Sequence, residues 1–580
     1  MKTSVLIITI SLLVAAFFRI VLPWNNTFVD NEVRFSQVDS YYSMDAVDMM
    51  RKGTFSVNQH PQPHILSEQI VYGISYIVSL GNLTKNTTDT IAALFTAICG
   101  LLAVLFIYFV TRELFNNEKI ALLSIALAAL MPGEFLSRTS LGFFDHHALE
   151  IVLFLLSTLF FIRMIKRHSL LNAFIAGIVA SLYMCNWMGG IILYGLYVTF
   201  AVFYIIVFGN NKNNATMIGN ILLCTCTSLL IYMIYLLSVL YPSNMSSMPS
   251  YLPYIILSTA LLPVLLVLRR LFQSIKTFLF VVIVPSIVLV FGLIIAFVPL
   301  EYVTIAINRI IWDTQTATSE GMPLLFPGGQ FTLLPVWVNF GILFPIFLFG
   351  LGIVLRQKIT TARLFFLCWS IIILVLTLGG VRFAEYLAVN VAIISSFTIV
   401  YVCQRIKAPA KRLKRLILYT VFAGIIVFVP LVSYSSLISK QSPEYFTDSW
   451  HDAMIWIDKN TDQDDIILSL WDYGYWIKRE GNRKPFCDPG RPNNRAITAS
   501  LLLNSPEQSA IDMQALDIGY IIIDSLMVEE KYYVYAAHNK STDHVEIEFD
   551  VTVLSLYYGI NITGFEKVFG SSEVVIYKVK

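Results

Sequence analysis

Charge is scarce in this chain. Asp, Glu, Lys and Arg together make up 13% of its 580 residues, against about a quarter in an ordinary soluble domain. With 57% hydrophobic residues, that shortage excludes a fold solvated by water on all sides. A net charge of +2 supplies no basic surface, so nucleic acid is not an expected partner. Cysteine is sparse too. Of Cys99, Cys185, Cys224, Cys226, Cys368, Cys403 and Cys487, only the last falls in the polar C-terminal part. No disulfide framework can therefore staple that part, and no metal-type cysteine spacing occurs. Internal repeats and low-complexity tracts are absent. So is a clear small-x-small cleavage site after the first apolar run, where Phe17, Phe18 and Arg19 intervene; that run is read as a retained span.

What the chain has instead is long apolar segments, and roughly 17–25 such residues suffice to cross a bilayer. Thirteen are expected, at about 4–23, 90–111, 119–134, 149–165, 170–186, 190–208, 217–240, 251–268, 277–299, 334–355, 363–380, 384–402 and 416–436. Trp187-Met188-Gly189-Gly190 separates two of them. With the N-terminus cytoplasmic, every alternate loop is basic: Arg112 and Lys119; Arg163, Lys166 and Arg167; Lys212; Arg269, Arg270 and Lys276; Arg356, Lys358 and Arg363; then Arg405 to Arg415. This asymmetry sets the register of the spans and places the C-terminal part on the outer side. The expected fold is an α-helical polytopic membrane domain, 1–436, with long outer loops at 24–89 and 300–333. A mixed α/β outer domain, 437–580, follows. In that domain Ile466–Leu470, Ile518–Ile523, Val545–Leu556, Phe565–Phe569 and Val574–Val579 read as strands.

This topology collects ionisable residues on one face of the membrane. Asp39 lies in the first outer loop, Arg138 and Asp145-His146-His147 in a short one, Glu320 in a third, and Arg382 opens the twelfth span on the same side. Ionisable residues at the rims of spans mark functional sites by default. Carboxylates and an imidazole without thiolate suit a divalent cation such as Mg²⁺ or Mn²⁺. Beyond the last span, Trp471-Asp472-Tyr473-Gly474-Tyr475-Trp476 supplies flat walls, indole and phenol donors and one carboxylate. That composition suits a small recognition pocket or an aromatic turn packing its own core.

In order, Val38-Asp39-Ser40-Tyr41-Tyr42, Gly142-x-x-Asp145-His146-His147, Ser319-Glu320, Arg382-Phe383-x-x-Tyr386 and Trp471-Asp472-Tyr473-Gly474 resemble the catalytic subunit of oligosaccharyltransferase. The resemblance is to the archaeal single-subunit type, the dolichyl-phosphooligosaccharide–protein glycotransferases, and covers nearly the whole chain. It implies a GT-C type membrane fold and an inverting glycosyltransferase. The donor would be a lipid-linked oligosaccharide and the acceptor an Asn-x-Ser/Thr segment of a peptide or protein. It further implies Asp39, Asp145, His147 and Glu320 as metal ligands, with Asp39 and Glu320 facing the acceptor amide and Arg138 beside them. Arg382 would bind the donor pyrophosphate, and Trp471, Asp472 and Tyr473 the acceptor hydroxyl. A second acceptor motif would be Asp524-x-x-Met527-x-x-x-Lys531. The chain departs from the family pattern at Leu470, where a tryptophan is usual, and at Tyr535, where Met or Ile is expected. The alternatives are another polyprenyl-phosphate-sugar glycosyltransferase, which has no need of the Trp-Asp-Tyr-Gly element, and a transporter, which would carry its charges inside the spans.

Bacterial members of that family place an arginine after the glutamate to demand an acidic residue before the acceptor Asn, and none stands between Gly321 and Val336 here. Peptides with Ala or Asp two positions before the Asn are therefore expected to be glycosylated at equal rates in a competition assay.

Overall fold

The computed structural model describes residues 2–55, 65–209, 214–240, 252–272, 274–278, 321–327, 330–405, 446–488, 494–529 and 550–580. Glu320, Lys531, Tyr535, most of the 300–333 loop and the expected span 416–436 lie outside these residues, as does nearly all of 277–299.

Helices occupy the other expected spans, because a backbone in hydrocarbon must satisfy its polar groups within the segment. Seven described helices are long and apolar enough to cross a membrane, or eight if the pair Leu334–Phe340 and Leu343–Leu355, bent by 84°, is one span. Two expected spans fall short in length: Leu170–Asn186 is apolar but short, and Glu118–Ala129 is shorter still. The expected span 251–268 is the 20-residue helix Leu252–Leu271. The chain breaks at Trp187, whose backbone is extended before a 3-10 turn at Met188–Gly190.

Six helices position the site: α1 (Val38–Arg51), α2 (Lys85–Phe115), α3 (His147–Arg167), α4 (Ala384–Arg405), α5 (Asp448–Asn460) and α6 (Gly474–Arg479). In the membrane body α3 and α4 are buried on nearly all sides. Strands β1 (Phe28–Val29) and β2 (Glu32–Val33) form a small hairpin in the first outer loop.

The C-terminal part is a five-stranded sheet ordered β4-β3-β5-β7-β6. Its strands are β3 (Ile466–Leu468), β4 (Lys484–Pro485), β5 (Ile518–Asp524), β6 (Phe565–Gly570) and β7 (Val574–Val579). β3 runs parallel to β4 and β5, whereas β7 is antiparallel to both β5 and β6. The strand expected over Val545–Leu556 is not found among the described residues: Thr552–Tyr558 is a helix. The alternation Val545-Glu546-Ile547-Glu548-Phe549-Asp550-Val551-Thr552-Val553 explains the strand reading. It stops at Leu554, and Thr552 to Leu556 are all buried in the helix. Gly559, with φ +66°, ends this helix.

One apolar cluster joins this sheet to the outer loop. Phe35, Tyr41, Met44 and Val47, together with Ala93 and Ala97 of α2, pack with Trp450, Ile467, Trp476 and Ile522.

Gly133 begins the segment that carries Arg138. Its φ of +67° lies in the left-handed region, and a Cβ there would stand 2.5 Å from the Cα of Asn339. Gly133→Ala should therefore cost about 1–3 kcal/mol, read as a lower melting temperature in detergent. Gly195→Ala, which meets nothing within 4 Å, is expected to leave it unchanged or slightly raised.

Candidate active site

The segment from Gly133 to His147 is pinned from three sides. Arg19, buried in the first helix, donates from Nε to Thr139 Oγ1 at 2.9 Å and stacks its guanidinium over Phe135. Its carbonyl accepts from the Leu141 amide at 2.8 Å. Gly142 (φ +82°) then lets the chain turn against Thr27, and its carbonyl accepts from Ser36 N at 3.0 Å. Ser36 directly precedes Gln37, so the first outer loop and this one are stitched together just before their acidic residues.

Asp145 uses both carboxylate oxygens. Oδ1 accepts from the His147 amide at 2.8 Å, at the start of α3 where helix amides lack internal partners, and Oδ2 accepts from Gln37 Nε2 at 2.9 Å. Asp39, exposed in the first turn of α1, is two residues beyond Gln37. Burial pushes the Asp145 carboxyl up to about 7. His146, Arg138 and the His147 amide act against that rise, while the Asp39 charge adds to it.

Beneath Asp145 lies a buried set of charges drawn from three elements. His147 Nδ1 is 2.9 Å from Glu385 Oε1 of α4, and Arg138 Nη1 is 2.9 Å from His147 Nε2. Arg138 Nε donates to Glu134 at 2.7 Å. His146 pairs with Glu150 of α3 at 2.6 Å; burial alone would lower its pKa, but Glu150 overrides this and holds it up at about 9. Tyr386 donates to the other Glu150 oxygen at 2.6 Å. Two sets, Asp145/His146/His147 and His147/Glu150/Glu385, each bring three ligand atoms within 4.8 Å of one another. Carboxylate oxygen and imidazole nitrogen at these separations fit a divalent cation. Asp39 belongs to neither set, though its charge acts on Asp145.

Arg382 sits half-buried in a 3-10 turn at the head of α4, its guanidinium 5.1 Å from the Trp187 ring. That indole comes from the break between two spans, so a cation is held at the rim by aromatic faces. Met322, two residues after Glu320, accepts from the Val381 amide at 3.0 Å, and Leu324 N donates to Leu378 O at 3.2 Å. The chain leaving Glu320 is thus docked beside Arg382.

The aromatic element emerges where a parallel sheet presents its sites. β3 and β5 run the same way, so the turn after β3 and the turn after β5 leave from one edge. Ser469 Oγ donates to Ile522 O at 2.9 Å and lies 3.8 Å from Met527 Sδ. Asp524 is buried, accepting from Met527 N at 2.8 Å and from Trp450 Nε1 at 3.0 Å. Burial raises its carboxyl above the ordinary carboxylate range, against these donors and the Tyr473 hydroxyl. Tyr473 stacks on Trp476 at 4.7 Å and packs against Trp450. Trp471 is buried beneath the Arg495 guanidinium, while Asp472 alone of the three stays half-buried. Tyr473 and Trp476 thus fill a core, as the aromatic-turn reading expects, and Asp472 is the half-buried member of the turn.

The site also contains residues that the sequence reading left aside. Glu150 and Glu385 lie within segments counted as apolar spans, and His146 was given no role. The signal was available: an ionisable residue inside a span demands a partner, and Glu150 stands four residues from His146 on one helix face.

An acid–imidazole cluster at the mouth of a multi-pass helical body, with an α/β sheet seated on its rim, defines a membrane-embedded enzyme. A family described as oligosaccharyl transferase STT3, N-terminal, matches residues 9–442, and the STT3/PglB/AglB core domain matches 463–550. Dolichyl-phosphooligosaccharide-protein glycotransferase 3 of Archaeoglobus fulgidus is 24% identical over 95% of this chain and 72% of its own length. Glycotransferase 2 of the same organism is 23% identical over 76% and 73%. Among solved structures, archaeal oligosaccharyltransferase AglB from A. fulgidus, in complex with an inhibitory peptide and a dolichol-phosphate, superposes with a TM-score of 0.79. It is 17% identical, over 98% of this chain and 79% of that one. An A. fulgidus oligosaccharyltransferase complex with Zn and sulfate gives 0.72 at 18% identity, over 98% and 72%. The chain belongs to the STT3 family of oligosaccharyl transferases, and is a membrane glycosyltransferase.

The raised Asp524 carboxyl has a consequence for stability. A carboxyl whose pKa is higher in the folded state binds its proton more tightly there, so folding loses stability as pH rises from the ordinary carboxylate range through the raised value. Asp524→Asn removes that loss. Whatever the offset between the two proteins, the melting temperature of Asp524→Asn relative to wild type is expected to increase with pH across that window.

Proposed function

We propose that the chain transfers a glycan from a polyprenyl (dolichyl) phosphate or diphosphate carrier to the side-chain amide of Asn in Asn-x-Ser/Thr segments, as a single subunit, with inversion at the anomeric carbon. The observation that carries this is the apposition of the two halves the reaction needs. Tyr42, three residues after Asp39, lies with its ring 4.9 Å from that of Tyr475, three residues after Asp472. An acidic site and an acceptor-reading turn are thereby neighbours across one helix contact.

In this reading Asp472, Trp471 and Tyr473 hold the Ser or Thr hydroxyl, with Met527 buried behind them and Lys531 as a further acceptor residue. Asp524 acts from behind by fixing the start of the Met527 turn and the Trp450 ring. The Asn amide nitrogen is a poor nucleophile because its lone pair is delocalised into the carbonyl, as in a peptide bond, whose rotation barrier is about 18–20 kcal/mol. Asp39 and Glu320 accepting both N–H groups weaken that conjugation. The nitrogen then attacks the anomeric carbon, the carbon–oxygen bond to phosphate breaks with its electron pair leaving on oxygen, and a carboxylate takes the amide proton. Arg382, always charged, receives the departing phosphate with its planar donor fork. Asp145, His147, Asp39 and Glu320 would hold Mn²⁺ or Mg²⁺, which supplies positive charge to the leaving group. Glu385 orients His147 through Nδ1, with Arg138 beside the ring.

Sidedness follows the same reading. Thirteen spans with a cytoplasmic N-terminus place the 437–580 domain, the 24–89 loop and the donor pyrophosphate on the outer face of the cell membrane.

Membranes carrying the protein, given lipid extract and a labelled Asn-x-Thr peptide, should yield glycopeptide. Gln in place of Asn, chelation by EDTA and Asp145→Ala should each reduce the product at least about a hundredfold. Product that survives all three would overturn the assignment.

A further inference from the structure

The contact between Tyr42 and Tyr475 is the first rung of a longer series. α1 presents Tyr42, Asp45 and Asp48 at a spacing of three, along one helix face. α6, which starts immediately after the Trp471-Asp472-Tyr473 turn, presents Tyr475, Lys478 and Arg479 to the same face. The rings meet first. Lys478 Nζ then pairs with Asp45, and Arg479 Nε with Asp48 Oδ2 at 2.9 Å. Arg479 also reaches the top of α2, with Nη2 2.6 Å from Asp89 Oδ1, and its guanidinium lies within about 6 Å of the Phe35 and Tyr41 rings. Only 2% of its side chain is exposed. Glu480 pairs with Arg479 at 3.1 Å and with Lys85 at 2.6 Å, closing the series.

These rungs are ordered along both chains, so α1 and α6 lie alongside each other in one direction. The two ends from which they start are Asp39 and Asp472. Asp48 is nine residues from Asp39, roughly 14 Å along the helix axis, and Arg479 is seven residues from Asp472. A slip of α6 along α1 by one residue would draw Lys478 from Asp45 and Arg479 from Asp48 and Asp89, leaving the buried guanidinium with Glu480 alone, a costly arrangement.

We propose that Arg479 and Lys478 are positioning residues that set the distance between the acceptor-reading Asp472 and the amide-facing Asp39. They do so by locking α6 onto α1 in a single register. This rests on the functional reading above. Neither residue touches substrate. Their effect is that a peptide held by its Ser or Thr hydroxyl delivers its Asn amide to Asp39 and not beside it, and displacements of about 1 Å at a reacting centre can cost a hundredfold in rate.

Arg479 is too deeply buried for its removal to be informative alone, so the test falls on Lys478 and Asp45, which are partly exposed. Lys478→Glu is expected to lower kcat for peptide glycosylation at least about tenfold while changing the directly measured peptide Kd by less than about threefold. Asp45→Lys combined with Lys478→Glu restores the pair with reversed charges and should recover most of the lost kcat. A double variant no faster than the single one, or a single variant with wild-type kcat, overturns the proposal. The register is also read without catalysis, by the distance distribution between nitroxide labels at Lys52→Cys and Asp464→Cys. It should broaden in Lys478→Glu and narrow again in the double variant; an unchanged distribution overturns the proposal equally. Failure of the unmodified protein to glycosylate any peptide would instead count against the functional reading, and the distance measurement would still decide the register.

Discussion

A charge in a low-dielectric surrounding must find a partner, and most of this molecule is such a surrounding. Among the described residues, Glu150, Glu385, Arg138, His146 and His147 are gathered rather than scattered, and neutralise one another in one place, at the heads of α3 and α4. Under the proposed function that gathering gives the chemistry its preorganisation. Carboxylates held by backbone amides, an arginine and imidazoles cannot relax toward water, so their field is already in place for the phosphate and amide that arrive. Arg19 is different: its buried guanidinium meets no carboxylate among the described residues and instead donates to Thr139 Oγ1 and Ala129 O and packs on Phe135.

The sheet solves a different problem. Under the proposed function a short peptide is read by side chains from distant segments, and parallel β3 and β5 release their following turns at one edge. Ser469, bridging Ile522 O and Met527, ties the two turns together. Because the apolar cluster of the sheet continues into the first outer loop and the top of α2, this edge is anchored on the membrane body rather than tethered to it.

Much of this was legible in the sequence, for definite reasons. Apolar run length and alternating basic loops marked the helices, since the bilayer enforces both. Asp39, Asp145, His147, Arg382 and the Trp471–Tyr473 turn stood out because they were polar or aromatic where neighbours were neither. Glu150 and Glu385 were hidden by the same logic: each sits among enough apolar neighbours to vanish into a span, and only contacts from other helices disclose them. Thr552–Tyr558 was misread because the strand-like alternation of Val545 to Val553 runs into its first turn. Asp524 and Met527 were named only through the resemblance to the family's second acceptor motif. Their burial, and the use of the Asp524 carboxylate by Met527 N and Trp450, come from contacts that no motif discloses.

Why the α1–α6 contact uses ions as well as rings follows from what each can specify. Aromatic and aliphatic surfaces are attracted over many offsets, so a helix packed by them alone can settle one residue along at little cost. Paired charges behave otherwise, because a displaced pair leaves two buried charges unmet. Arg479 makes the condition stricter by answering to α1 and α2 together, with Asp48 and Asp89 fixing its fork from two directions. Leu470 fits the same division. It is buried with the sheet core and contributes adhesion without register. The residues that decide where Asp472 stands lie one helix further on, in the charges at the far end of α6.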